Sequence, residues 1–345
     1  MKALVYEYNA GAATDGMRFA DDSTAPSAAA LKTGEVLIEV KAAAINPVDY
    51  KLRALLPRFA LNGRAVAQDF SGVVIESKSS KYQKGAAVYG NASGSIAERL
   101  VAADKHIAYK PPSISFNEAA SLPTVALTGY QAFKKGGLKE GGSALVVGAS
   151  GGCGIVGVQI ARAMAGCQGM VAGICSTANV PFVQQLDAQA TVLDYKYPET
   201  FLEPKDGALT RASPCGWDVI YDTVTSPDNG DNLKGQRYDV LLEPFRADKG
   251  KVVAINGSAW RWTCLFLHKM TMGVFASDKY ALHLMQRSSD DLTQIAHWVR
   301  DGEVRPILDS VHTFSAEGCA AAYTRLKSRR AKGKVVINIS NGDSY

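Results

Sequence analysis

Between Ala144 and Ala165 the chain reads ALVVGASGGCGIVGVQIARAMA. An apolar run suited to a buried strand is followed by a glycine-rich turn and then by an apolar stretch at helical spacing. Gly148, Gly151, Gly152 and Gly154 carry no Cβ, so the backbone there can turn tightly and approach a ligand closely. A helix over Ile155–Ala163 would open with unpaired amides and the positive end of its dipole facing that turn. Strand, turn and helix in this order hold the pyrophosphate of a dinucleotide, with Ser150, Gly151, Gly152, Cys153, Gly154 and Ile155 lining it. Ala149 stands at the first glycine position of the G-x-G-x-x-G fingerprint. A purely structural strand-to-helix turn is the alternative, and the further strands at suitable distances downstream favour the ligand site.

A site for NAD places Asp or Glu at the tip of the second strand, about twenty residues past the turn, to bind the ribose 2′-hydroxyl. Here the tip is Ser176-Thr177-Ala178-Asn179. Ser176 and Asn179 leave room and donors for a 2′-phosphate, where a carboxylate would repel it, so the expected cofactor is NADP(H). Neither Arg nor Lys adjoins the tip in sequence. Asn256, just past an expected strand Lys251–Ile255, is a further cofactor-contact candidate.

The elements that must position these residues are of two kinds. Residues 1 to about 124 are rich in short strand-like runs (Leu4–Tyr8, Glu35–Ala42, Phe70–Glu76, Ala87–Tyr89, Ala97–Val101) with few helical signals, a barrel-like β pattern. Thr124–Lys134 reads as a helix. Beyond it, strands Ala144–Gly148, Met170–Cys175, Thr191–Leu193, Val219–Asp222, Lys251–Ile255 and Met272–Phe275 alternate with helices, as in a doubly wound sheet. A helix over Ser289–Arg300, an extended Val304–Phe314, a helix over Ala316–Lys327 and a strand Lys334–Ile339 are expected to return to the first domain. The expected division is 1–124 with 278–345, and 125–277.

The 345 residues carry 47% hydrophobic and 21% charged side chains and a net charge of +5, an ordinary globular composition with room for two domains. The basic cluster Arg325, Lys327, Arg329, Arg330, Lys332 and Lys334 reads as a solvated helix end, too small a patch for nucleic acid. Six cysteines (Cys153, Cys167, Cys175, Cys215, Cys264, Cys319) show no CxxC spacing and read as reduced intracellular thiols. No run of eighteen apolar residues and no leader-like segment is found, so a cytoplasmic protein without a membrane partner is expected. His106, His268, His283, His297 and His312 are scattered without ligand spacing.

The motifs GEVLIEVKAAAINPVDYKLR (34–53), AQDFSGVV (67–74), GSIAERLV (94–101), LPTVALTGYQAF (122–133), VVGASGGCGIVGVQIA, WDVIYDTV (217–224) and RAKGKVVI (330–337) together resemble the medium-chain dehydrogenase/reductase superfamily, in its zinc-independent quinone oxidoreductase branch. The resemblance spans essentially the whole chain. It implies an α/β fold with a GroES-like β-barrel-type domain plus a doubly wound Rossmann dinucleotide-binding domain, and a homodimer.

In zinc-dependent relatives a Cys, a GHE motif and a further ligand hold the metal. Asn46, Ala67-Gln68-Asp69 and Thr124 stand at those places here, and neutral amides and hydroxyls cannot replace thiolate and imidazole, so no metal is expected. The resemblance also implies that Tyr195 and Arg330 line the adenosine phosphate pocket, Arg330 as a charge-assisted donor. A strand-end core aromatic is the equal alternative for Tyr195. Asn46, held extended by Pro47, is expected with Lys51 and Thr128 around the nicotinamide, between the domains. Tyr50 is expected in the substrate pocket, where it or water supplies the final proton. Asp49 is open to a simpler reading as the cap of the following turn.

The expected reaction is NADPH-dependent hydride delivery to a quinone or an α,β-unsaturated carbonyl, Tyr50 and Asn46 being the catalytic candidates. An enoyl-thioester reductase is the alternative enzyme. An NADPH-binding regulatory or RNA-binding protein is the alternative outside enzymes.

Overall fold

The computed structural model describes residues 1–7, 16–55, 58–203, 205–225, 233, 236–256 and 279–340. The chain divides into two compact units, Met1–Leu127 with Arg287–Tyr345, and Thr128–Gln286.

In the first unit, Ala3–Tyr6 (β1) and Met17–Ala20 (β2) form an antiparallel ribbon. Glu35–Ala44 (β3), Asp69–Ser77 (β4), Ala87–Asn91 (β5), Arg99–Ala103 (β6) and Ile107–Tyr109 (β7) build an antiparallel sheet with β3 paired to both β4 and β6. The alternation in EVLIEVK explains β3: Val36, Ile38 and Val40 turn into an apolar core with Phe70, Val88, Leu100 and Ile107, while Glu39 is exposed. Pro47–Leu55 (α1) follows β3 directly. Pro47 suits the first helical position, where its missing N–H is not needed. The chain passes to the second unit within Pro123–Gly136 (α2).

The second unit carries Ser143–Val147 (β8), Met170–Cys175 (β9), Thr191–Asp194 (β10), Trp217–Asp222 (β11), Arg246–Ala254 (β12) and Tyr280–Leu282 (β13) in the order β10-β9-β8-β11-β12-β13. Every pairing is parallel. SALVV of β8 is buried at each position, as expected of a strand covered on both faces. The strand order reverses at β8 and β11, which puts the turn after β8 at the switch point of a doubly wound sheet, where such folds bind ligands. Gly152–Ala165 (α3) leaves that turn.

Returning to the first unit, Ser289–Arg300 (α4), Leu308–Thr313 (β14), Ala316–Lys327 (α5) and Lys334–Asn338 (β15) complete the chain. β15 pairs antiparallel with β3 and parallel with β14, so both chain ends build the one sheet. Ser288 and Ser315 cap the two helices through the N–H groups of Asp291 and Gly318.

One expectation changes, one falls outside the described residues, and two short strands were not announced. Among the described residues the sixth strand of the parallel sheet is Tyr280–Leu282; the expected strand Met272–Phe275 lies outside the described residues. The strands Met17–Ala20 and Ile107–Tyr109, four and three residues long, are too short for alternation to announce them. The basic cluster is not uniformly solvated: Arg325 pairs with Asp309 at 2.6 Å, and Lys334 is buried at 5% exposure. Among the described residues no helix is long and apolar enough to cross a membrane.

Candidate active site

In the second unit the glycine turn is built by backbone contacts. Gly148, at φ +77, a conformation that disfavours side chains, lets its own N–H and that of Ala149 both donate to Ile174 O, at 3.0 and 2.9 Å. Gly151 N–H closes the turn on Gly148 O at 3.0 Å. A Cβ at Gly154 would lie 2.0 Å from Gly148 O, so only glycine lets the helix start this close to the strand end. A Cβ at Gly151 would meet only Gly148 O, at 3.4 Å. Gly151 is also the N-cap of α3 and gives no side-chain bond to it. The first-turn amides of Gly152, Cys153 and Gly154 therefore precede any intrahelical acceptor and have no capping side chain, which is the donor set an anion needs. These residues fit a pyrophosphate.

Around this turn the structure gathers several of the expected residues. Asn179 Nδ2 donates to Ser150 Oγ at 2.9 Å, tying the strand-tip segment to the turn. Asn256 Nδ2 donates to Thr223 O at 3.1 Å, and Thr223 Oγ1 to Val147 O at 2.7 Å. Ser176 is half-buried, and Tyr195 N–H donates to Cys175 O at 3.0 Å. Tyr195 is 39% exposed, which removes its reading as a core aromatic. Cys153 is half-buried with its thiol against the Tyr221 hydroxyl, and Ile155 is buried in the first turn of α3. One carboxylate near the tip was not legible in sequence: Asp194, ending β10, accepts from the Thr177 side chain and from Lys196 N–H at 3.0 Å, with the Lys196 ammonium offsetting its charge. Thr128 is buried on α2, in the same unit.

In the first unit, strand ends bring a second set together. Asn46 follows β3, Asp69 opens β4, Asn91 ends β5 and Lys334 opens β15, and Asp69 pairs in register with Ala44 and Asn91. Asn46 is 4% exposed and Asp69 is fully buried. Asn46 Nδ2 donates to Asp69 Oδ2 at 2.8 Å, and Lys334 Nζ donates to Asn46 Oδ1 at 2.5 Å and to Ile45 O at 3.1 Å. The ammonium is 3.5 Å from Asp69 Oδ2. Asp69 Oδ1 accepts from Asn91 Nδ2 at 2.9 Å and from the N–H and hydroxyl of Thr124 at 2.9 and 2.6 Å. Arg287 extends the network, donating to Asn91 Oδ1, Gln68 Oε1 and Ser93 Oγ. Ala67, at φ +66, turns the chain in a conformation disfavoured for a residue with a Cβ just before Gln68 and Asp69.

Asp49 does not cap as an N-cap residue. It lies in the first turn of α1 and reaches back to accept from Asn46 N–H at 2.7 Å, the reciprocal half of a capping box. Its Oδ1 is buried without a partner. Burial pushes this carboxyl up to about 7, the Asn46 N–H and the Lys334 ammonium opposing and the Asp69 carboxylate adding to the rise. Tyr50 packs half-buried against the core, with the Lys327 ammonium 5.5 Å from its ring centroid. Lys51 and Arg330 are exposed.

Zinc does not fit this set. Asp69 is the one first-choice ligand among Asn46, Gln68, Asp69 and Thr124. Its two oxygens already accept four hydrogen bonds, and a buried ammonium beside it opposes a divalent cation. Among the described residues no three His, Cys, Asp or Glu side chains converge as a metal site.

The sequence matches the family described as "Alcohol dehydrogenase GroES-like domain" over residues 32–130 and the one described as "Zinc-binding dehydrogenase" over residues 186–337. It is 30% identical to the trans-enoyl reductase pgmF of Aspergillus terreus, over 88% of this chain and 86% of that one. It is 31% identical to the chloroplast envelope quinone oxidoreductase homolog of Arabidopsis thaliana, over 89% and 90%. The quinone oxidoreductase of Coxiella burnetii shares the fold, with a TM-score of 0.73 over 99% of each chain at 22% identity.

Proposed function

From the premise that this chain belongs to the medium-chain dehydrogenase/reductase superfamily, in its quinone oxidoreductase branch, we propose that it is an NADPH-dependent, metal-free reductase of quinones or α,β-unsaturated carbonyls. The observation that carries the reading is the uncapped start of α3 behind the glycine turn. NADPH, when bound, supplies the hydride.

The chain's own residues bind, orient and donate. Amides of Gly152, Cys153 and Gly154 hold the pyrophosphate, with Ser150, Gly151 and Ile155 shaping the turn. Ser176, Asn179, Tyr195 and Arg330 receive the adenosine side, Arg330 as the cation for a 2′-phosphate. Asp194 is already engaged by Thr177 and offset by Lys196, so it does not oppose that phosphate as a free carboxylate would. Asn256, Lys51 and Thr128 contact the rest of the cofactor. Asn46 and Tyr50 face the reacting oxygen, donating to the charge that develops there, with Tyr50 or water giving the final proton. None of the five described cysteines is in a disulfide, in keeping with the cytoplasm as its place, and a homodimer is the proposed assembly.

The likeness to a trans-enoyl reductase supports enoyl thioesters as the second substrate class. The test follows NADPH absorbance with 9,10-phenanthrenequinone and with crotonyl-CoA, alongside RNA retention over a salt series. Turnover with the quinone is expected. Turnover confined to crotonyl-CoA would move the assignment to the thioester class, and salt-resistant RNA retention without any turnover would refute the enzyme reading.

A further inference from the structure

Asn46 is held from both ends. Its Oδ1 faces the Lys334 ammonium and its Nδ2 faces the Asp69 carboxylate. Turning the amide over would set NH2 against ammonium and carbonyl against carboxylate, so the ion pair alone decides which way the group points. With one Nδ2–H on Asp69, the other has no partner among the described residues, on a side chain 4% exposed. That leaves a single donor of fixed orientation.

We propose that Lys334 and Asp69 are positioning residues, a two-sided latch that fixes the Asn46 amide so that its remaining N–H is offered to the reacting oxygen. The inference rests on the reading of Asn46 as a catalytic residue. The residues at the zinc-ligand places organise a buried ammonium, and this cation is part of the chain. Preorganised donors of this kind need no rearrangement at the moment charge develops.

Two measurements separate the latch from the wider functional reading. The first compares Lys334→Met, Lys334→Met/Asp69→Asn and Lys334→Arg with wild type in quinone reduction, with NADPH affinity read by fluorescence and folding by thermal melting. The double variant removes both charges together, so no buried carboxylate is left without its cation. It is expected to keep NADPH affinity within about threefold while kcat falls about 10²-fold, the cost of a misplaced group. Lys334→Arg, which keeps the charge, should retain most of kcat. In an Asn46→Ala background, Lys334→Met should cause no further loss, because it acts through Asn46. Wild-type kcat in the double variant, or an undiminished further loss in the Asn46→Ala background, would overturn the latch.

The second measurement does not depend on turnover. The Asn46 side-chain amide, followed by 1H–15N NMR, should give one well-resolved NH2 pair in wild type and a shifted or exchange-broadened pair in Lys334→Met. An unchanged pair refutes the latch even in a protein with no quinone activity, and a changed pair supports it whatever the substrate proves to be.

Discussion

Gly151 and Gly154 sit three residues apart, yet replacing each by Ala should produce different failures. At Gly154 the new Cβ would lie 2.0 Å from Gly148 O and 2.7 Å from Ala149 Cα, against the roughly 3.5 Å that such contacts favour. Both neighbours are backbone, so the helix must move off the strand end, at about 1 to 3 kcal/mol. At Gly151 the nearest atom is Gly148 O at 3.4 Å and φ is −82, so Ala fits the apo protein with only the small loss of a poorer N-cap. Its methyl group would instead stand where the pyrophosphate must approach the amides. NADPH at a hundred times its Kd should add about 2.7 kcal/mol to wild type, or about 5 to 11 °C at the 2 to 4 °C per kcal/mol of a unit of this size. Melting with and without NADPH should show that rise for wild type. Gly151→Ala should melt near wild type without NADPH and lose most of the rise, and Gly154→Ala should melt low in both conditions. A wild type with no NADPH-induced shift would refute the cofactor assignment, and a Gly154→Ala protein melting like wild type would refute the packing argument.

Other perturbations bear on the remaining assignments. Ser176→Asp should weaken NADPH by about 1 to 3 kcal/mol through repulsion of the 2′-phosphate and leave NADH unharmed or improved; equal loss for both cofactors in titrations would remove Ser176 from the phosphate site. Arg330→Ala should raise the NADPH Kd about tenfold or more with little change for NADH, and an unchanged NADPH Kd would leave Arg330 as a surface charge. Dialysis against a strong chelator should leave activity intact, because Asp69 is committed to Asn46, Asn91 and Thr124; stoichiometric zinc lost together with activity would contradict this. Asp49 titrates near 7 in the fold against 3.8 for a free carboxyl, so between those values the folded state holds the extra proton and stability falls as pH rises, by at most about 4 kcal/mol. Denaturant titrations should therefore show Asp49→Asn gaining on wild type from pH 5 to pH 8, and a constant difference would exclude the shift.

Long periodic segments were legible because periodicity and burial coincide in them. The apolar run before the turn suits a buried strand, and SALVV is buried at every position, while both Ser289–Arg300 and Ala316–Lys327 carry a Ser cap and a repeating apolar face. Tyr280–Leu282 and Ile107–Tyr109 were not legible: at three residues each, they are strands because a neighbouring strand offers hydrogen bonds, a tertiary fact with no local signature. The tight packing at Gly154 was readable in the glycine turn, since it follows from the absence of a Cβ. Asp194 was missed because its approach to Thr177 depends on how β10 lies beside β9, which spacing along the chain does not state.

The same limit explains Lys334. In sequence it is the last of several basic residues after a helix, and such runs are usually solvated. Its burial follows from β15 pairing antiparallel to β3, which carries residue 334 to the strand end where Asn46 and Asp69 already sit. Asn46 and Asp69 are buried there, and buried polar groups without partners are costly. A buried carboxylate left without a cation beside it would be the most costly of these groups. An ammonium from the returning strand satisfies Asp69 and Asn46 together. Because that cation is covalently part of β15, it also ties the closing strand of the sheet to the site. Lys334→Met alone, which leaves Asp69 buried without its cation, should then loosen the β15–β3 pairing together with the orientation of Asn46, whereas removing both charges should free Asn46 while the pairing holds.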